Sequence, residues 1–444
     1  VRTAARRQLV VLGALSASLL TVGSYGVGAV PASLDSWLHG SSVGRALCYA
    51  LVAVGVLGLL SAWWSLRGAP TRVVLLFSAA WTAPLLVAAP LFTRDVFAYA
   101  GQGHLVDAGI DPYTHGPADA PGPLSAEVDD VWAHARSPYG PVFLRVASWL
   151  VPGEHVAVSL LLLRLLAVCG LPLMAWALVR MSSEPARALW LAVANPLVLL
   201  HGVAGAHNDL LMAGLLAAGI AIAVRSGPRV LLTLAGGAAV ITIAALVKAP
   251  AIVALPFLPF AVPKQRIRTA ITVAVSAVLT AIGVTVATGL GSGWLHTLGA
   301  GNPRRNLLSV STGAGALVSP VAGDGAVDAA RLAGLVVAGA VAVWMLLRVA
   351  PVDPLRALGL TLLAVAVLGP VVQPWYLLWA LPLLACVAGP RLAAGLAAAC
   401  GVLCLLILPS GRHVIRPPLY GVPAVLVIAA GYAASRYPRG AAAP

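Results

Sequence analysis

The sequence predicts an all-α protein, a polytopic integral membrane bundle of about 12–14 spanning helices, and three observations carry that expectation. Hydrophobic residues make up 60% of the 444 residues and charged ones only 9%, and the mean hydropathy is +0.95. Apolar stretches near the roughly 20 residues needed to cross about 30 Å of hydrocarbon recur from Leu9 onward. The basic residues stand in short clusters between those stretches, on alternating sides. A water-soluble domain is excluded by this balance. A nucleic-acid partner is excluded too, because the formal charge of +14 is never gathered into a continuous stripe.

The predicted spans run over 9–30, 43–66, 72–92, 154–180, 186–203, 208–225, 229–247, 250–262, 269–290, 327–348, 356–372, 375–389, 392–409 and 420–434. Segment 250–262 is short and carries Pro250, Pro256 and Pro259, so a broken or re-entrant piece is expected there. Placing Arg2, Arg6 and Arg7 inside puts Arg67/Arg72, Arg180/Arg187, Arg225/Arg229, Lys264/Arg266/Arg268, Arg348/Arg356, Arg391 and Arg436/Arg439 inside as well. That alternation works with the first apolar run retained as a span rather than cleaved as a signal. The chain reads as one domain over 1–444, with no internal repeat of the kind transporters often show. Cys48, Cys169, Cys386, Cys400 and Cys404 all fall in apolar stretches and read as buried packing residues.

Two polar excursions fall outside in this orientation, residues 93–154 and 291–326. The first holds eight of the fourteen acidic residues and seven prolines, which favour fixed turns and short interfacial helices over one long helix. It opens with TRDVFAYAGQGHLVDAGIDPY, which sets Asp95 at the outer boundary, beside Arg94 and ahead of Tyr99, Gln102 and His104. A carboxylate there suits removal of a proton from an attacking hydroxyl, a task worth about 10² to 10⁴ in rate. The plain alternative, that Asp95 caps the helix opening at Val96, stays open. Downstream, SPYGPVFL clamps Tyr139 between Pro138 and Pro141 as a stiff turn, where turn-setting and ligand contact both stay open. Asp129 and Asp130 could offer oxygen ligands to a divalent cation, but without a recognisable ligand set they read rather as a solvated pair.

Further along, NPLVLLHGVAGAHNDLLMAG places His201, His207, Asn208 and Asp209 around a Gly-rich break between apolar runs. Ionisable groups at such depth are functional candidates, with helix capping by Asn208 or Asp209 as the alternative. Lys248 in ALVKAP ends an apolar run on the outer side, either snorkelling or meeting a phosphate. Arg304, Arg305 and Arg412 are further outer cations, suited to a phosphate or to lipid headgroups. In VVQPWYLLW an interfacial aromatic belt accounts for Trp375 and Tyr376 but not for Gln373.

Taken in order, TRDVFAYAGQG, GIDPY, SPYGPVFL, HGVAGAHNDLLMAG, LVKAPA and QPWYLLW resemble the pattern of bacterial polyprenol-phosphate-mannose-dependent α-(1→6)-mannosyltransferases. The resemblance covers residues 93 to 379. It implies a GT-C architecture with an outward cavity in the plasma membrane, and an acidic residue of the first large outer loop, here Asp95, as base. It also implies a polyprenyl-phosphate mannose donor and a phosphatidylinositol-mannoside or mannan acceptor, in lipomannan and lipoarabinomannan assembly. Under that reading Lys248, Arg304, Arg305 and Arg412 meet the donor phosphate. Arg94, Tyr99, Gln102, His104, Tyr139, His207, Asn208, Asp209, Gln373, Trp375 and Tyr376 surround the sugars. No cofactor or metal is expected. An arabinosyl donor, a protein acceptor, or a transporter of lipid-linked sugars are the competing readings. Clustering of the polar residues on one side favours an enzyme over alternating access.

Overall fold

The computed structural model describes residues 2–224, 227, 229–261, 265–297, 308–323, 325–351 and 353–412. Arg304 and Arg305, and the predicted span 420–434, lie outside the described residues. The fold is all-α as expected, helices joined by turns. By length and composition five helices can cross a membrane: Ser42–Ser65, Val156–Met181, Val230–Val247, Arg266–Thr288 and Gly325–Val349. A sixth arises if Val198–Ala204 and Asn208–Ala223, bent by 110° at their junction, count as one span. The protein is therefore multi-pass. Other predicted spans are shorter apolar helices, including Thr71–Leu85, Pro354–Leu368 and Pro390–Leu403.

The breaks have local causes. The predicted span 186–203 divides into Pro185–Ala192 and a π-helical turn, Val198–Ala204, with Asn195 between them. Asn195 bonds its own neighbourhood, donating to Leu191 O at 2.6 Å and accepting from Leu197 N at 2.9 Å, which competes with helix continuation. Segment 375–389 likewise divides into a 3₁₀ turn, Pro374–Trp379, and Leu381–Cys386. Ala249–Ala261, where a broken or re-entrant piece was expected, is one continuous 3₁₀ helix holding Pro256 and Pro259.

Backbone groups freed by these breaks find partners inside the bundle, as hydrocarbon demands. Arg164, buried in Val156–Val168, donates to Val203 O at 3.2 Å, Ala204 O at 3.2 Å and Leu86 O at 2.8 Å. It thereby closes the carbonyl end of the π-turn. Gly170 and Gly214 let Gly170–Met181 and Asn208–Ala223 approach so closely that a Cβ on either would overlap the other's backbone. On the far side Trp63 and Trp190 stack at 4.8 Å and exchange two indole N–H to carbonyl bonds of 2.8 Å. Four cysteines are buried, but Cys169 is exposed, because it sits at the joint between Val156–Val168 and Gly170–Met181 on an outward face.

The polar segment 93–154 is built of short helices, Asp95–Asp107, Pro123–Ala126, Asp130–Ala133 and Pro141–Trp149. Asp129 caps one of them, accepting from Val131 N. Gly140 lies against the Leu246 backbone where any side chain would overlap it. This contact brings the SPYG turn to the end of Val230–Val247, and so sets Tyr139 beside Lys248.

Candidate active site

The site forms where four broken elements meet. Thr93 and Asp95 come from the polar segment 93–154, His207 to Asp209 from the 110° bend, Lys248 from the end of Val230–Val247, and Gln373 to Trp379 from the 3₁₀ turn. Two non-glycine residues take left-handed backbone angles beside it, Phe92 (φ 64°) and Ala206 (φ 54°). Such angles cost on the order of 1–3 kcal/mol and cluster at functional sites. They lie immediately before Thr93 and His207.

Capping does not explain Asp95. Thr93 Oγ1 accepts the Asp95 N–H at 3.0 Å, Arg94 holds the cap position of Asp95–Asp107, and the Asp95 carboxylate points to His207, Oδ2 to Nδ1 3.8 Å. Its side chain is 26% exposed, whereas that of His207 is fully buried. Tyr99 lies one turn along, its hydroxyl 3.3 Å from His207 Nδ1 and 3.5 Å from Asn208 Oδ1. Trp375 stacks on the His207 ring at 3.8 Å. Tyr99, Tyr139 and Phe143 meet edge to face at 5.1–5.3 Å and wall the opposite side. Burial pushes the Tyr99 and Tyr139 phenols well above their ordinary range, with neighbouring phenol and carboxylate groups adding to it. Both stay neutral and can donate hydrogen bonds.

A second cluster adjoins the first. Lys248 Nζ donates to Asp209 Oδ2 at 2.6 Å, and Trp379 Nε1 donates to Asp209 Oδ1 at 2.6 Å. The ammonium lies 5.2–6.0 Å from the ring centres of Tyr376, Tyr139 and Trp379. Tyr376 and Trp379 themselves stack at 4.2 Å.

Two buried polar atoms at this junction, His207 Nε2 and Asn208 Nδ2, have no hydrogen-bond partner among the described residues, and neither has Gln373 Oε1, two residues before Trp375. Leaving such an atom dry costs about 1–3 kcal/mol. Two within one site indicate a place prepared for a polar ligand.

Comparisons with known proteins give the family. Residues 10–264 match the family model described as "Alpha-(1->6)-mannopyranosyltransferase, N-terminal domain", and residues 305–437 match one described as "MptB C-terminal domain". The chain belongs to this α-(1→6)-mannopyranosyltransferase family. The α-(1→6)-mannopyranosyltransferase A of Mycobacterium tuberculosis is 34% identical over 90% of this chain and 84% of its own length. The α-(1→6)-mannopyranosyltransferase B of Corynebacterium glutamicum is 30% identical over 83% and 71%. A probable α-(1→6)-mannopyranosyltransferase of Mycolicibacterium smegmatis is 30% identical over 84% and 78%. No solved structure matches.

In this family member the fold gathers most residues expected at the site, and it separates others. Asp95, Tyr99, Tyr139, His207, Asn208, Asp209, Lys248, Trp375 and Tyr376 belong to the two adjoining clusters described above, whereas Gln373, two residues before Trp375, lines a cavity with Leu308, Leu363 and Leu406. Arg412 is exposed and its carbonyl accepts from Leu408 N at 2.7 Å; the turn before it reaches the site, where Pro409 O accepts from Phe92 N at 2.9 Å and Gly411 packs on the Thr93 backbone. Arg94 instead turns to the chain around Glu127, donating to Glu127 O at 3.2 Å with the Glu127 carboxylate 4.0 Å away. Gln102 is buried and accepts from Ser137 Oγ at 3.0 Å, which fixes the turn carrying Tyr139. His104 lies nine residues along the helix from Asp95, about 13 Å at 1.5 Å per residue. Sequence reasoning passed over Trp379 and Arg164. An arginine inside LLLLRLLAV was the available signal for the latter.

Proposed function

We propose that this protein is a membrane mannosyltransferase that takes mannose from polyprenyl-phosphate mannose and forms an α-(1→6) linkage to a mannoside on a lipid anchor. The observation that carries the reading is the half-open Asp95 carboxylate set at a junction of unpartnered buried polar atoms, beside a cation ringed by aromatic faces. The names of the similar mycobacterial and corynebacterial proteins support the sugar and the linkage. Lipomannan and lipoarabinomannan backbones are products of that kind, and the site would face the outside of the plasma membrane.

In this mechanism Asp95 accepts the proton of the acceptor's 6-hydroxyl as that oxygen bonds to the anomeric carbon. The bond from that carbon to the phosphate oxygen breaks on the opposite face, inverting a β-linked donor to an α product. The leaving polyprenyl phosphate needs no acid. Lys248 and Arg412 hold it as point charge and fork respectively, with Arg304 and Arg305 in the same role. His207 Nε2 and Asn208 Nδ2 take sugar hydroxyls. Tyr99, Tyr139, Trp375 and Tyr376 cover the ring's apolar faces.

The test is Asp95→Asn in pure protein. Titration with polyprenyl-phosphate mannose should give donor affinity within about twofold of the parent, and turnover lowered by about 10² to 10⁴. Undiminished turnover would remove Asp95 from the role.

A further inference from the structure

We infer that Asp209 is a positioning residue for Lys248, and that Trp379 completes the device by holding Asp209. This deepens the reading above and rests on Lys248 being the cation that meets the donor phosphate. Asp209 is fully buried, and each of its carboxylate oxygens accepts a 2.6 Å bond, one from Lys248 Nζ and one from Trp379 Nε1. An oxygen pair so engaged offers the sugar little. The Lys248 side chain remains 14% exposed, and an ammonium with three N–H donors gives one to Asp209 and keeps two for a ligand.

Lysine is otherwise a poor fixed anchor, because its four-carbon stem is flexible. Here the stem end is held from one side by the carboxylate and from others by the faces of Tyr139, Tyr376 and Trp379. The three partners come from elements that are far apart in sequence. Asp209 opens the helix after the 110° bend, Lys248 closes Val230–Val247, and Trp379 ends the 3₁₀ turn. One ion pair and one indole bond thus set the ammonium at a fixed point beside the Asp95–His207 cluster. The carboxylate also supplies the charge that makes burying an ammonium tolerable.

The experiment compares Lys248→Met, Asp209→Asn and the double variant in the purified full chain, with polyprenyl-phosphate mannose as the varied substrate. Lys248→Met should raise the donor KM about tenfold or more, and Asp209→Asn about fivefold, with kcat changed less than about twofold in each. The double variant should match Lys248→Met within about twofold, because Asp209 acts only through Lys248. Melting temperature gives a second readout. Lys248→Met strands a buried carboxylate, so adding Asp209→Asn should raise its melting temperature. An unchanged donor KM in Lys248→Met would overturn the phosphate reading itself. A raised KM in Lys248→Met with an unchanged KM in Asp209→Asn would overturn the positioning role alone. So would effects of the two substitutions that multiply in the double variant.

Discussion

Two regions of this molecule solve the membrane problem differently. Arg266–Thr288 and Gly325–Val349 are long and apolar, and only 6% and 17% of their most apolar windows are buried inside the protein. Val156–Met181 and Val230–Val247 bury 44% and 50%, and between them lies the bent pair that carries His207 to Asp209. The first pair spends its hydrophobic surface on lipid, so its sequence has little to specify beyond apolarity. The central region replaces much of that lipid contact with protein, and the backbone groups freed by its breaks find partners there. Arg164, Asn195, Phe92 and Ala206 all sit in or beside those breaks. Chemistry is placed where the helices fail.

The comparison can be broken by substitutions on its two sides. His207→Phe keeps a ring to stack on Trp375 and removes both nitrogens. It should lower kcat/KM by about 10- to 100-fold, equivalent to about 1–3 kcal/mol of lost ligand contact. Melting should change little, since loss of the buried unpartnered Nε2 offsets loss of the Nδ1 contact to the Tyr99 hydroxyl. A drop in melting temperature with activity kept would reverse the assignment.

Gly140→Ala tests packing rather than chemistry. The added methyl overlaps the Leu246 backbone, which does not yield as a side-chain tip does. Destabilisation of about 1–3 kcal/mol is expected by thermal or denaturant unfolding, together with a loss of donor affinity as Tyr139 shifts from Lys248. Gly283→Ala in Arg266–Thr288 meets nothing within 4 Å. There the helix should gain up to about 1 kcal/mol with kinetics unaltered. Equal costs at the two glycines would erase the distinction drawn between the regions.

Much of this was legible from residue order. Hydropathy and basic alternation give the fold class, and Asp95, the His207–Asp209 run and the QPWYLLW stretch stand out as polar or aromatic exceptions in apolar surroundings. The pairings were not legible. Lys248 and Asp209 stand 39 residues apart and Asp209 and Trp379 170 apart, and no local pattern registers contacts at that distance. Arg94 read as a ligand for the same reason, since its partner Glu127 is 33 residues away. The lengths of the spans were also overread. An apolar run of about 18 residues satisfies the membrane rule whether it is a straight helix or a π-turn followed by a 110° bend.

The central claim is that a lipid-carried mannose is transferred at this junction. The most direct measurement places the pure protein in liposomes with labelled polyprenyl-phosphate mannose, or with a mannose sugar nucleotide, and a mannoside acceptor, and maps the product linkage. The account predicts an α-(1→6)-linked product from the lipid donor alone. Transfer from the sugar nucleotide without the lipid, or a product of another linkage or retained configuration, would contradict it.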